Sequence, residues 1–118
     1  MTSRKRTSRT RSSQPHAFRI VWTDRALEDL RTIGDYIARD NPVAAARWVE
    51  TLMMTVERAA RAPLAGRRLP EKGRNDVREV LQRTYRIVYR VREDQIDVLT
   101  IFEGHRVLPG DAIPDQER

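Results

Sequence analysis

The stretch EGHR, residues 103–106, places an imidazole and a guanidinium directly after an apolar run of the chain. His105 can act as a general base or a general acid near neutral pH, and Arg106 can hold negative charge. Cleavage of RNA without a metal needs a base for the 2′-hydroxyl, an acid for the leaving oxygen and cations for the phosphorane. Arg78 and Arg86 are further candidates for the cationic role. The alternative is a polar rim that makes contacts and transfers no proton.

Few other side chains could carry a proton in such a reaction. Lys72 and Tyr85 are the additional candidates, and the pattern also allows Tyr85 to be a core residue. Residues 17–118 contain no serine, which excludes a serine hydrolase. Two histidines, one of them in the N-terminal tail, are too few for a zinc site of ordinary spacing, and no glycine-rich phosphate loop is present. We therefore expect no metal or cofactor, and the residues leave catalysis and contact both open.

Arginines that alternate along the C-terminal strands form a second candidate site. On the strand 77–81, Val77 and Leu81 are apolar, so we expect their side to face the helices and Arg78 to face outward. The candidate binding residues for a target or partner are Arg78, Arg83, Arg86, Arg90, His105 and Arg106. Arginine recognises phosphate and carboxylate groups through two parallel hydrogen bonds. The alternative is a solvated face on which these arginines pair with nearby acids, namely Glu79, Glu93, Asp97 and Glu103.

Charge and composition limit the broad class of the protein. The chain has 118 residues, 34% of them charged and 39% hydrophobic, which suits one domain with one modest core. Residues 1–16 carry five cations and no acid, which is +5 of the formal net charge of +6. We expect this basic tail to be disordered, either a solvated extension or a weak electrostatic contact for an acidic partner. The absence of cysteine, of a secretory signal and of a membrane-length apolar run favours a cytoplasmic protein.

Hydrophobic periodicity predicts the elements that position these side chains. Residues 17–23 alternate as a strand, and an amphipathic helix follows from a cap at Thr23 or Asp24. Asn41 and Pro42 begin a second helix that runs to about residue 60, with Trp48, Leu52 and Met53 on its apolar stripe. The residues 62–76 read as a loop, and three strands follow at 77–81, 85–92 and 95–102.

This order predicts an α+β fold: an N-terminal strand, then an antiparallel helical hairpin packed on one face of a twisted, mainly antiparallel four-stranded sheet. The predicted organisation is a disordered basic tail at 1–16, one domain at 17–108 and a loose C-terminal tail at 109–118.

Three sequence pieces, in this order and spacing, resemble the RelE/ParE superfamily of toxins from bacterial type II toxin–antitoxin modules. The first joins A-x-x-D-L at 26–30, Y-I at 36–37 and NP-x-AA at 41–45. The second joins R-E-x-L at 78–81 with Y-R-I-V-Y at 85–89, and the third is the last strand with its Gly-His-Arg end. The resemblance runs from Phe18 to Arg106.

The resemblance implies a toxin held inactive by a cognate antitoxin, which typically lays an extended segment and a helix over it. The long hairpin and the NP-x-AA turn look ParE-like, which implies inhibition of DNA gyrase without a nuclease site. The alternative implied by the RelE branch is a ribosome-dependent mRNA endonuclease, with His105, Arg106, Arg78 and Arg86 as the catalytic set. A further alternative is a non-toxic module that binds nucleic acid through the same arginines. Operator DNA is expected as a partner only for the complex with antitoxin, and no membrane partner is expected.

Overall fold

The structure, a computed structural model, describes residues 17–104, 108 and 111–114. These residues form two helices and five strands, with one turn of 3-10 helix at Pro63–Ala65. In chain order the elements are β1 (Arg19–Trp22), α1 (Asp24–Ala38), α2 (Pro42–Arg61), β2 (Arg67–Arg68), β3 (Val77–Gln82), β4 (Tyr85–Arg92) and β5 (Gln95–Glu103). The predicted basic tail lies outside the described residues. Neither helix is long and apolar enough to cross a bilayer.

The helical hairpin begins and turns at the residues that the sequence predicts. Thr23 caps α1, because its side-chain oxygen accepts a hydrogen bond from Ala26 N. Asn41 caps α2 in the same way, and Pro42 occupies the first position of that helix, where its missing N–H costs nothing. The two helices approach closely at Gly34, where a Cβ would lie 3.0 Å from a methyl carbon of Val49.

The described strands form one sheet in the order β1-β5-β4-β3-β2. Strands β3, β4 and β5 are antiparallel neighbours, as predicted, and β1 pairs in parallel with the first half of β5. The α+β architecture is therefore confirmed, but the predicted loop 62–76 contributes a fifth strand. This strand, β2, has only two residues, Arg67 and Arg68, and two consecutive arginines give no alternation from which to recognise it.

The hairpin buries the main hydrophobic core against one face of the sheet. Leu52 and Val56 of α2 pack with Ile87 and Tyr89 of β4, and Trp48 is half-buried at the edge of this cluster. The prediction that Met53 belongs to the core is wrong, since 42% of its surface is exposed. One residue step turns a helix by about 100°, so Met53 lies beyond the stripe that faces the sheet.

The opposite face of the sheet carries a second hydrophobic cluster, which the sequence did not predict. Leu69 from the loop packs there with side chains of β3, β4 and β5 and with the C-terminal Leu108 and Ile113. Ala112 is buried as well. The described part of the predicted loose tail is therefore packed, and the face predicted to be open to water is largely covered.

The orientation of β3 is the reverse of the prediction. Arg78 pairs directly with Tyr89, a residue of the hairpin-side core, whereas Val77 belongs to the second cluster. Since side chains alternate along a strand, Arg78 and Val80 lie on the hairpin side, and Glu79 lies on the opposite side. The prediction failed because it counted Val77 and Leu81 as core for the hairpin when a second core exists.

An irregularity in β5 fixes the start of α1 to the sheet. The pairing of β4 with β5 skips Leu99, so that one extra residue is accommodated in β5. Thr23 Oγ1 donates to Val98 O at 2.7 Å, and Asp29 accepts hydrogen bonds from Ile101 N at 3.1 Å and Thr100 Oγ1 at 2.5 Å. These bonds set the position of the hairpin relative to the end of β5, where the candidate site residues begin.

Candidate functional site

Arg86 and Arg90 project from β4 on the face away from the hairpin, as predicted, but neither is open to solvent. The exposed fraction is 8% for Arg86 and 7% for Arg90. A guanidinium that leaves water must be neutralised and hydrogen-bonded, or its burial costs several kcal/mol. Carboxylates of β3 and of the preceding loop meet this requirement.

The carboxylates of Glu71 and Glu79 enclose the Arg86 guanidinium. Arg86 Nε donates to Glu79 Oε1 at 2.5 Å, and its two terminal nitrogens donate to the two Glu71 oxygens at 2.9 Å each. Arg67 donates to the second oxygen of Glu79, whose side chain is completely buried. The hydrogen bond from Arg86 lowers the pKa of Glu71, and the same bond raises the pKa of Arg86. This group of four side chains, Arg67, Glu71, Glu79 and Arg86, is called the charge network below.

Arg90 is held in a similar way at the other end of the strand. Its Nε lies 3.4 Å from Asp76 Oδ2, and Asp76 also accepts two hydrogen bonds from Arg74, at 3.1 and 2.8 Å. The Arg74 hydrogen bonds lower the pKa of Asp76. The ion pairing that the sequence left as an alternative is thus present, but two of the carboxylates, on Glu71 and Asp76, come from the segment between the helices and β3.

Arg78 lies on the other face of the sheet and holds a loop. Its guanidinium donates to the carbonyl oxygens of Leu64 at 3.1 Å, Gly66 at 3.0 Å and Asn75 at 3.0 Å. The buried Tyr89 hydroxyl donates to Pro63 O at 2.5 Å beside it, and burial raises the pKa of that hydroxyl. Arg78 lies on the hairpin side of the sheet, whereas Arg86 and Arg90 of β4 lie on the opposite side. The three arginines therefore do not form one surface.

Arg83 is exposed at the turn between β3 and β4. Its backbone takes a positive φ of 56°, which is uncommon outside glycine and asparagine. The guanidinium carbon lies 5.4 Å from the centre of the Trp48 ring, within the range of a cation–π contact. Of the predicted arginines that the structure describes, Arg83 is the one with its charge at the surface and its position set by an aromatic ring.

A groove of about 680 Å³ opens beside Arg83, between the hairpin turn and the β3–β4 turn. We call it the hairpin groove. It is lined by Ile37, Asn41, Val43, Ala44, Arg47, Trp48, Thr51, Gln82, Arg83, Thr84 and Tyr85. Among the residues that the structure describes, the lining contains two arginines, no carboxylate and several apolar side chains, of which Val43 is 63% exposed. Such a surface suits a protein segment that offers apolar and acidic side chains.

The sequence-predicted His105 and Arg106 lie outside the described residues. Gly104, which precedes them, donates a backbone hydrogen bond to Thr84 O at 2.5 Å, so β5 ends against the β3–β4 turn. The described residues contain no histidine and no cluster of side chains able to hold a metal ion. Within them Tyr85 is half-buried and packs against Trp48 in a tilted arrangement, with ring centres 5.9 Å apart and an angle of 56° between the ring planes. Proton transfer by His105 stays a prediction.

The comparisons with known proteins agree with this fold and with the resemblance in the sequence. The family described as ParE toxin of type II toxin–antitoxin system, parDE, matches residues 20–108. A curated protein of Sinorhizobium fredii, named putative toxin Y4kP, is 39% identical over 92 residues, which is 77% of this chain and 93% of the relative.

Solved structures show the same fold. A chromosomal ParDE toxin–antitoxin system from P. aeruginosa superposes with a TM-score of 0.62 and 26% identity, covering 74% of this chain and 96% of that chain. A mutant of the E. coli toxin RelE in the free state superposes with a TM-score of 0.55 and 20% identity, over 75% of this chain and 84% of that one. The second likeness concerns the fold alone. Since the family match spans most of the sequence, this chain belongs to the ParE toxin family of type II toxin–antitoxin systems, within the RelE/ParE superfamily.

Proposed function

We propose that this toxin inhibits DNA gyrase by binding it and that a cognate antitoxin neutralises the toxin by covering the same surface. The observation that carries the proposal is the state of Arg86 and Arg90. A ribonuclease would need unneutralised cations near the phosphorane. In this chain both guanidiniums are buried against carboxylates that neutralise them in the free toxin, so a phosphorane would have to compete with internal acids for their charge. Inhibition by contact needs no such cations and no proton transfer.

The contact surface in this proposal is the hairpin groove together with the β3–β4 turn. Arg83 presents its charge there, Trp48 supplies aromatic area, and Val43 is exposed on the hairpin turn. Tryptophan and arginine are the residues that most often dominate binding energy at protein interfaces. His105 and Arg106 are proposed as additional contacts, since they directly follow in sequence Gly104, which lies against the β3–β4 turn. Arg78 and Arg90 are proposed to act by holding the surface in place.

A cognate antitoxin is the second proposed partner. The similar structure from P. aeruginosa is a ParDE toxin–antitoxin system, and the hairpin groove offers two cations and no acid to an antitoxin segment with acidic and apolar side chains. Gyrase acts on DNA in the cytoplasm, so the proposal also places the action of this protein there.

The decisive experiment measures supercoiling by purified gyrase alongside mapping of transcript ends in cells that express the full chain. We expect impaired supercoiling, no new mRNA ends, and rescue of growth by co-expression of the cognate antitoxin. Arg83→Gln should weaken inhibition clearly, because it removes an exposed charge from the proposed contact. The matched control is Arg31→Gln, which removes an exposed arginine on α1 whose described ion pair is with Glu28. His105→Ala should weaken inhibition only modestly.

Two results would overturn the proposal in different ways. Ribosome-dependent mRNA ends that disappear with His105→Ala would assign the endonuclease function, because losing one catalytic group typically costs about 10²–10⁴-fold in rate. If cells that express the soluble protein grow at an unchanged rate, the protein is not toxic. In that case the non-toxic nucleic-acid-binding module would be the function to test next.

A further inference from the structure

The charge network borders a second concave surface, on the side of the β3–β4 turn away from the hairpin groove. This arginine cleft has a volume of about 540 Å³. It is lined by Arg67, Pro70, Glu71, Leu81, Arg83, Thr84, Arg86 and Gly104. Three of the lining side chains are cations and one is an acid. Arg83 lines this cleft and the hairpin groove alike, so the two surfaces meet at the β3–β4 turn.

Glu71, the acid in the lining of the cleft, is held less firmly than Glu79, the other acid of the charge network that surrounds Arg86. The Arg86 side chain is 9% exposed, and Glu79, beneath it, is completely buried in β3. Glu71 is 40% exposed and belongs to a turn that precedes β3, outside any helix or strand. Its two hydrogen bonds to Arg86, at 2.9 Å each, are the contacts that fill the outer side of the guanidinium. Glu71 can therefore leave without disturbing the buried part of the network.

We propose that Glu71 is an internal stand-in for a carboxylate of a bound partner, and that the arginine cleft accepts an acidic protein segment that displaces it. The geometry already demonstrates the chemistry, because Arg86 presents its planar fork to a carboxylate through two parallel hydrogen bonds. An incoming glutamate or aspartate would take the same position while its neighbours reach Arg67 and Arg83. The inference rests on the proposed function, since the segment would belong to the antitoxin that neutralises the toxin.

The lining favours a peptide over a nucleic acid. Single-stranded nucleic acids bind where aromatic rings stack on the bases, and no aromatic side chain is among the lining residues of the cleft within the described part of the chain. Leu81, which is 53% exposed, and Pro70 give apolar contact area beside the cations. Gly104 keeps the rim open: a Cβ at that position would lie 2.9 Å from Thr84 O and 3.6 Å from Arg86 Cγ.

The proposal predicts that removing the internal carboxylate strengthens binding. The wild-type chain binds an acidic segment only in the fraction of molecules in which Glu71 is displaced. Its apparent dissociation constant is therefore the intrinsic constant divided by that fraction. Glu71→Gln should therefore bind a hexaglutamate peptide about two- to fivefold more tightly than the wild type, the range expected when a partly exposed ion pair no longer competes.

Fluorescence anisotropy with labelled hexaglutamate and labelled hexauridylate, on the full chain at low salt, tests this directly. The matched control is Asp76→Asn, which raises the net charge by the same amount at a loop carboxylate that does not line the cleft. Tighter peptide binding by Glu71→Gln alone supports the proposal. Equal peptide affinities for Glu71→Gln and Asp76→Asn would overturn it, as would a gain for the oligonucleotide and none for the peptide. Because the assay requires neither toxicity nor gyrase, it can fail while the proposed function stands, and the reverse.

Discussion

Replacing Glu79 by glutamine tests whether the charge network is structural. Glu79 is a carboxylate with no exposed side-chain surface, and it accepts hydrogen bonds from Arg86 Nε at 2.5 Å and from Arg67. Glutamine keeps the shape of the side chain but removes its charge and one of its two acceptor oxygens. One of the two arginines must then face an amide N–H group, which is also a donor.

The two contacts of Glu79 differ in energy because the two arginines differ in burial. The Arg67 side chain is 58% exposed, so its guanidinium can turn to water at little cost. Arg86 is buried and keeps Glu71 as a partner, but the acceptor left for its Nε is at best a neutral amide oxygen, so it loses the charge assistance of a hydrogen bond that contributes about 1.5–3 kcal/mol. We therefore expect Glu79→Gln to lower the free energy of unfolding by about 2–3 kcal/mol. For a domain of this size that corresponds to a fall in Tm of roughly 10 °C or more.

Urea titration of the full chain, followed by tryptophan fluorescence, measures the change. Glu71→Gln is the matched control, since it removes the other carboxylate around Arg86 from a partly exposed position, and its cost should be about 1 kcal/mol or less. A loss below about 1 kcal/mol for Glu79→Gln, or equal losses for both variants, would refute the reasoning. The carboxylate of Glu79 would then not be the buried centre of the network.

Three further predictions concern stability. Leu52→Ala should cost about 2–5 kcal/mol, because Leu52 is fully buried in the hairpin-side core; Met53→Ala next to it should cost far less, and equal unfolding midpoints would mean that the stripe is misplaced. Hydrogen bonds from Arg86 and Arg74 hold the pKa values of Glu71 and Asp76 below their ordinary 4.5 and 3.8. Their stabilisation is therefore complete above those ordinary values and is lost as the pH falls through the lower folded-state values. The urea midpoint should thus decline below about pH 4.5, with a smaller decline in the Glu71→Gln, Asp76→Asn double variant. Removal of residues 1–16 should change the unfolding free energy by no more than about 0.5 kcal/mol, since that tail has no apolar side chain after Met1; a clear drop in Tm would show that the tail docks.

The sequence alone determined the two helices, the four longer strands and their order, but not the two-residue β2. The caps at Thr23 and Asn41, the proline that begins α2 and the alternation within β4 and β5 are local signals, because they depend on bonds and contacts within a few residues. The strand-helix-helix-strand order together with short turns left few topologies, and the family resemblance pointed to the same one. These predictions needed no knowledge of what packs against the sheet.

Which side of each strand is covered was decided only in the tertiary structure. Alternation shows that Arg78 and Glu79 point to opposite sides, but it cannot show which side meets the hairpin when the second side is covered as well. The cover comes from Leu69 and from the C-terminal residues, both read from the sequence as loop.

The availability of each arginine likewise depended on contacts between distant parts of the chain. Arg86 and Arg83 look alike in the sequence, since both are cations near a turn. Arg86 is neutralised by Glu71, which lies 15 positions away in an irregular segment, whereas Arg83 rests on Trp48 of α2 with its charge at the surface. Whether a guanidinium can bind a partner depends on which carboxylates reach it in three dimensions, and periodicity along the chain carries no information about that distance.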